Sequence, residues 1–423
     1  MLQTAGLSLE QAPPISIPFK YFFTASLLFI VASLLLVMQG SDLVTSRWSP
    51  TAIGLTHLIT TGFLAQVMTG AMMQLLPVLA GTPVSGVVIV NWIIHITLLA
   101  GTVMLVVGFL LPQHLMLILG AGALTTAFII LFTSTGIALL KSARQQSRAR
   151  SLGIGWVSII PTALLGCYLV ASLSGFVHID NLQPIITLHL SWGLLGWVGI
   201  VLFATILELV PMFYVTPTFS KVLKQWLLPV IFLCLIIFTI SRYFSNEFLK
   251  NSLLLIVLAF FVIGLSVLIN IYNRKRLIVD TTLLYIWTGI ASLLIAAVVW
   301  LSAGSDLIVG GLLLGGVCMT IPIGIIYKVI PFLCWFHLQA LQIKKRKLDY
   351  SAPSMKHFIQ EKHAKYQYFF HLSALCLFFV ALLISSKLMI LVGVLFTCSS
   401  LYLFKNILYA YIAYHEEQNI LCS

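Results

Sequence analysis

Residues 250–272 read KNSLLLIVLAFFVIGLSVLINIY, and no charged side chain follows Lys250 until Arg274. At a rise of about 1.5 Å per residue, a helix of this length crosses the roughly 30 Å hydrocarbon core of a bilayer. The run is too long for a buried strand, and it lacks the polar–apolar alternation of a membrane barrel. It predicts a membrane-spanning helix. Working outward, comparable apolar runs lie close to 21–40, 53–77, 89–111, 115–140, 153–175, 184–211, 226–244, 281–302, 306–331, 367–386 and 388–412. With 250–272 they make twelve spans, and they predict an all-α polytopic membrane protein whose residues 1–423 form a single transmembrane domain.

Composition agrees. Of the 423 residues 60% are apolar and only 8% are charged, whereas a soluble chain carries roughly 25% charge. The net charge of +12 would suggest nucleic acid in a soluble protein. Here the basic residues gather in a few loops, as membrane topology requires, so the lipid bilayer is the expected partner and nucleic acid is not. Five of the seven Cys (Cys167, Cys234, Cys318, Cys376 and Cys398) fall in apolar runs without paired spacing, and read as small core residues. The polar start of the chain has no basic region or small-residue cleavage site, so the first apolar run is expected to be retained as a span.

Of the 23 Lys and Arg, 19 fall on one side of the predicted spans. They include Lys141, Arg144, Arg148 and Arg150 after span 4, Lys221 and Lys224 after span 6, Arg274–Arg276 after span 8, and Lys344–Lys347 with Lys356, Lys362 and Lys365 after span 10. The other side keeps Arg47, Arg242, Lys250 and Lys387. The positive-inside rule then puts both termini in the cytoplasm. The longest segment outside the spans, 338–366, reads as a basic cytoplasmic loop, broken by Pro353, that lies against lipid headgroups.

Spans 2, 6 and 10 share a pattern near their ends: Gln74-Leu-Leu-Pro77, Glu208-Leu-Val-Pro211 and Lys328-Val-Ile-Pro331. A polar residue precedes a Pro by three places each time, and the repeats are four spans apart. This predicts three four-helix arcs, approximately 1–150, 151–276 and 277–423, related by a pseudo-threefold axis. Gln74, Glu208 and Lys328 are then intramembrane polar residues at one depth. Either charged residue is costly in lipid unless paired, so the two are expected to pair with each other or with an amide such as Gln74. A packing clamp and a proton relay through Glu208 are both open.

The histidines divide by depth. His57 in span 2 and His189 in span 6 are both shallow from the outer side, and small residues follow each. Two neutral imidazoles at one depth suit axial ligation of a haem, and equally the start of a copper or zinc site. Met68 lies on the His57 face by helical spacing. His95 in span 3, His337 after span 10 and His371 at the start of span 11 are candidates for a second cofactor, against an interfacial reading for His337 beside Trp335. His178 and Asp180 share an outer loop. There is no phosphate-binding glycine loop, no HExxH and no CxxC.

Twelve spans with cytoplasmic termini, three four-helix arcs and the shallow His57 resemble subunit I of the haem–copper oxidases and the NnrS-type membrane proteins related to that fold, and the strings Thr56-His57-Leu, Gln74-Leu-Leu-Pro77-Val, Gly81, Tyr327-Lys328 and Pro331-Phe-Leu resemble further bacterial membrane proteins related to it. The resemblance implies a bacterial inner membrane, haem b ligated by His57 and a copper-ligand position at His189. The family's His pairs in spans 7 and 10 are missing, since 226–244 and 306–331 contain no His, and no Tyr follows His189 at the cross-link spacing. An oxygen-reducing binuclear centre is therefore not expected. The resemblance points to a haem-binding protein in electron transfer, in a nitric oxide or metal response, or in a respiratory accessory role, with a redox partner or small-molecule ligand. A transporter or metal-handling permease using Glu208 and Lys328 is the alternative from the residues themselves, and a structural or assembly subunit is the third. The oligomeric state is not legible.

Overall fold

The computed structural model describes residues 13–80, 86–136, 139, 147–244, 251–347 and 349–422; residues 1–12, Gly81, Lys141, Arg144 and Lys250 lie outside them. All regular structure among the described residues is helical. Twelve helices are long and apolar enough to cross a membrane: Ser16–Thr45, Pro50–Gln74, Val87–Leu110, His114–Gly136, Ala149–Leu173, Gln183–Tyr214, Leu223–Arg242, Ser252–Tyr272, Thr281–Leu301, Asp306–Lys345, Glu361–Ile384 and Ser386–Cys422. They are called spans 1 to 12 below. Large side chains such as Met38, Leu164 and Ile269 stand exposed on them, as lipid-facing positions do.

Span starts follow local chemistry. The Ser49 hydroxyl accepts from the Ala52 N–H at 3.1 Å, with Pro50 in the first turn of span 2. Before span 6, the Asn181 side chain accepts from the Gln183 N–H at 3.0 Å and turns the chain into the helix. Spans 11 and 12 separate where Ser385 adopts an extended conformation.

The ends differ from the sequence expectation in two respects. Helix continues through Pro77, Pro211 and Pro331. Proline is tolerated inside membrane helices because neighbouring groups satisfy the backbone it frees. Span 10 runs on to Lys345 and stops where Arg346 turns to φ 54°, so the basic segment 338–366 is helical at both ends. Its middle is tied to span 12: the Tyr350 hydroxyl donates to Glu417 Oε2 at 2.9 Å, and His357 Nε2 lies 3.4 Å from Glu417 Oε1. Burial, and then the Glu417 carboxylate, push the Tyr350 phenol above its ordinary pKa.

Spans 2, 6 and 10 share a feature that their sequences do not announce. Each is α-helix, then π-helix, then α-helix, with π segments at Leu58–Leu64, Ser191–Gly199 and Leu312–Met319. Each π segment ends about four helical turns or fewer before the proline of its span. A π segment inserts a residue into the turn and re-aims every side chain beyond it.

The chain forms two compact units. One is Met1–Pro83, Val279–Gly289 and Gly310–Ser423; the other is Val84–Ile278 and Ile290–Val309. In the first, spans 1 and 12 pack through Gly393, where a Cβ would stand 2.6 Å from the Val37 backbone nitrogen, and through Phe29 and Phe396, with ring centroids 6.0 Å apart. In the second, spans 3 and 4 meet backbone to backbone: Cβ atoms at Gly101 and Gly120 would lie 2.8 and 2.6 Å from the backbone nitrogens of Leu124 and Leu105. Small residues permit such approach where apolar lipid supplies no hydrophobic drive between helices. Gly120→Ile is expected to cost about 1–3 kcal/mol by overpacking this contact, read as a lowered unfolding midpoint in mild detergent.

Candidate functional site

The first unit contains a ladder of buried polar side chains drawn from spans 9, 10, 11 and 12. Its lowest rung is Asp280, which serves two partners. Its Oδ1 accepts from the Leu283 N–H at 3.1 Å and caps span 9, and its Oδ2 accepts from Lys328 Nζ. Beside it the exposed Glu361 accepts from both the backbone N–H and the hydroxyl of Thr281, each at 2.7 Å, through one oxygen. The first turn of span 9 is thus clasped by one carboxylate from within and another from span 11.

One turn further in, the Asn406 amide donates to the Tyr327 hydroxyl at 2.9 Å. Tyr285 stacks on Tyr327 with ring centroids 6.2 Å apart and donates its hydroxyl to Gln367 Oε1. The Gln367 amide donates in turn to Ser399 Oγ at 2.7 Å. Gly324 makes this possible, since a Cβ there would stand 2.4 Å from Tyr285 Cβ. Thr288 and Tyr368 share a hydroxyl–hydroxyl bond of 2.9 Å.

The innermost rung is His371, fully buried and ringed by Tyr285, Phe29 and Phe396 at centroid distances of 5.7, 6.4 and 5.5 Å. Thr320 Oγ1 donates to Gly315 O across the end of a π segment and lies 2.8 Å from His371 Nε2. The hydroxyl has one proton, so His371 donates from Nε2 and carries its lone pair on Nδ1. Nδ1 has no hydrogen-bond partner among the described residues.

The second unit holds a smaller polar site. Lys224 Nζ pairs with Glu208 Oε1 at 3.1 Å beside a small, partly open cleft also lined by Ser151, Ala204, Leu207 and Leu228. Arg150 secures the neighbouring turn by donating to Gln225 O at 3.0 Å. The pair is about a quarter exposed on each side, and such a pair contributes roughly 0–1 kcal/mol.

The sequence candidates are distributed as follows. Lys328 heads the ladder and His371 ends it. Each charged residue of the 208/328 pair has a partner that the sequence did not suggest: Lys224 for Glu208 and Asp280 for Lys328. Gln74 donates from Nε2 to His337 Nε2 at 3.1 Å, which engages the lone pair of that ring nitrogen. His57 and His189 belong to different units. His57 Nδ1 lies 2.9 Å from Ile53 O, one turn back on its own helix; His189 Nδ1 lies 3.0 Å from Thr162 O on span 5, with its ring set over Gly166. Met68 is buried in the first unit, and His95 is buried edge-on to Trp92 in the second. Among the described residues, no three His, Cys, Asp or Glu side chains gather as a metal ion requires.

Several ladder residues escaped the sequence reading although they are spaced for a helix. Thr281, Tyr285 and Thr288 fall at intervals of four and three, and Gln367 lies four residues before His371, which the sequence did single out. Each looks unremarkable alone among 27 Phe, 14 Tyr and the many hydroxyls of the spans.

No protein-family model matches the chain, and no curated protein matches it. The ladder geometry carries its own expectation. Tyr285→Phe leaves Gln367 Oε1 buried without its donor and should cost about 1–3 kcal/mol, while Lys328→Met removes the ammonium paired with the Asp280 carboxylate and should cost about 3–5 kcal/mol. Both are measurable as shifts in denaturation midpoint.

Proposed function

We propose that the chain is a multi-pass membrane protein that carries protons along the ladder of its first unit, between the Glu361 and Lys328 end and His371. The observation that carries this reading is the ladder itself. Six hydroxyl, amide or ionisable rungs line one column through four membrane spans. Burying a polar group away from water costs roughly 2–7 kcal/mol unless it is bonded, so a chain that needed only helix packing would fill the column with Leu. Ionisable and hydroxyl side chains in sequence are what a relay needs, because each accepts a proton on one side and donates on the other. Lys328, Asp280 and Glu361 receive protons at the basic end; the hydroxyls of Tyr285 and Tyr368 carry them inward, with Gln367 orienting that of Tyr285; His371 ends the described part of the path.

The charge split supports a cytoplasmic entrance and cytoplasmic termini, and the recurring π segments of spans 2, 6 and 10 support the repeat and its three arcs. Location in a bacterial inner membrane rests on the resemblance to the oxidase-like proteins.

A second reading, haem binding, is favoured by one observation. His57 and His189 each lie with Nδ1 at a backbone carbonyl, the arrangement that fixes the tautomer presenting Nε2 to a metal. Haem b or copper held by either residue would supply one-electron chemistry. A reduced-minus-oxidised spectrum of the purified protein is expected to show a b-type band that disappears in His57→Ala or in His189→Ala; a colourless, metal-free sample rejects this reading and leaves the ladder untouched.

For the proton reading, the purified chain is reconstituted into liposomes loaded with a pH-sensitive dye, and a potassium gradient is released with valinomycin. Proton uptake is expected, reduced to the leak of protein-free vesicles in Lys328→Met and His371→Phe and unchanged in Glu208→Gln. Uptake no faster than in empty vesicles, or equal in all variants, overturns it.

A further inference from the structure

Gln66 and Thr69 lie just past the π segment of span 2, and both are 0% exposed. Neither Gln66 Oε1, Gln66 Nε2 nor Thr69 Oγ1 has a hydrogen-bond partner among the described residues. Helical threonines of this same span satisfy themselves by default: Thr56, Thr60 and Thr61 each donate to the carbonyl four residues back at 2.8 Å. Thr69 does not take that bond, although it sits in regular α-helix. Native proteins leave very few buried polar groups unbonded, and here three atoms stand together. Residues three apart on a helix are neighbours, about 5–6 Å between Cβ atoms, so one small group can reach both side chains.

We propose that Gln66 and Thr69 form a binding notch for ordered internal water. The chemistry selects the ligand. Gln66 offers a donor and an acceptor, and Thr69 offers both in one hydroxyl, so the ligand must accept and donate at once and must fit where both side chains are wholly enclosed. An ion would leave one half of the amide unanswered. Water answers all three atoms, and buried waters characteristically make two to four such bonds. The π segment re-aims the side chains that follow it, so it sets which neighbouring surfaces 66 and 69 face. The proposal does not depend on proton movement along the ladder, which lies on other spans.

The adjacent methionines provide the readout. Met72 and Met73 are 3% and 0% exposed and follow Thr69 within one turn. Hydroxyl radicals made from water by X-ray radiolysis oxidise thioethers only where water is within reach, so buried methionine is modified only beside internal water. Full-length protein in nanodiscs is exposed to dose-matched radiolysis and mapped by mass spectrometry. Met389, 0% exposed, serves as the dry reference and Met38, 79% exposed, as the wet one. Met72 and Met73 are expected to be modified severalfold more than Met389, and to fall to its level in the Gln66→Leu, Thr69→Val double variant while Met38 is unchanged. Modification no greater than that of Met389, or undiminished in the variant, overturns the proposal. Thr69→Val alone, close to isosteric, guards against a folding defect. With water bound it should lower the thermal midpoint, and a raised midpoint shows that the notch is dry.

Discussion

The constraint on which this structure depends is the absence of water from the layer its helices occupy. Backbone groups there are satisfied chiefly within helices, and among the described residues twelve helices are long and apolar enough to cross that layer. Every side-chain polar group must likewise find a partner on a neighbouring span or be costly. Asp280 shows the rule at work. One carboxylate oxygen closes the first turn of span 9 and the other holds the Lys328 ammonium of span 10, so a single residue starts a helix and neutralises a buried charge.

The same constraint gives the ladder its form. Tyr285 is held on both faces and at its tip: it stacks on Tyr327, meets Tyr368 edge-on at 5.0 Å and donates to Gln367. Gln367 passes its other end to Ser399, so spans 9, 11 and 12 are joined through one amide. Such bonds fix register between helices whose apolar surfaces would otherwise slide. In the proposed relay, rigidity and proton transfer draw on the same atoms, and the polar groups keep their value only while each stays bonded.

Interruption of helices is the second theme. The π segments of spans 2, 6 and 10 widen the backbone locally, and each has polar chemistry nearby: His57 immediately before the first, His189 two residues before the second, and Thr320 immediately after the third. Thr320 uses the irregularity directly, since its hydroxyl reaches the carbonyl five residues back while meeting His371. The prolines of these spans do not end them, so the repeated motif marks a recurring helix interior.

How much of this the sequence discloses follows from the range of each interaction. Hydrophobic run length is a local property, and it gave twelve spans and the break at Ser385 between spans 11 and 12, while spans 10 and 12 run on to Lys345 and Cys422, past the expected ends at 331 and 412. The excess of helix in 338–366 was missed because Pro353 breaks the middle of the segment without limiting its flanks. Lys328, Glu208, Gln74 and His371 stood out because a polar residue inside an apolar run is visible by itself. Their partners did not. Asp280 is 48 residues from Lys328, and Gln367 is 82 from Tyr285; only packing of spans decides such pairs. By itself the sequence determined that this chain is a helical membrane protein and that its spans bury polar residues such as Gln74 and His371, because both depend on transfer out of water residue by residue. The tertiary structure alone decided that those residues assemble as a ladder in one unit and an ion pair in the other, because hydrogen-bond partners are chosen by which helix faces meet.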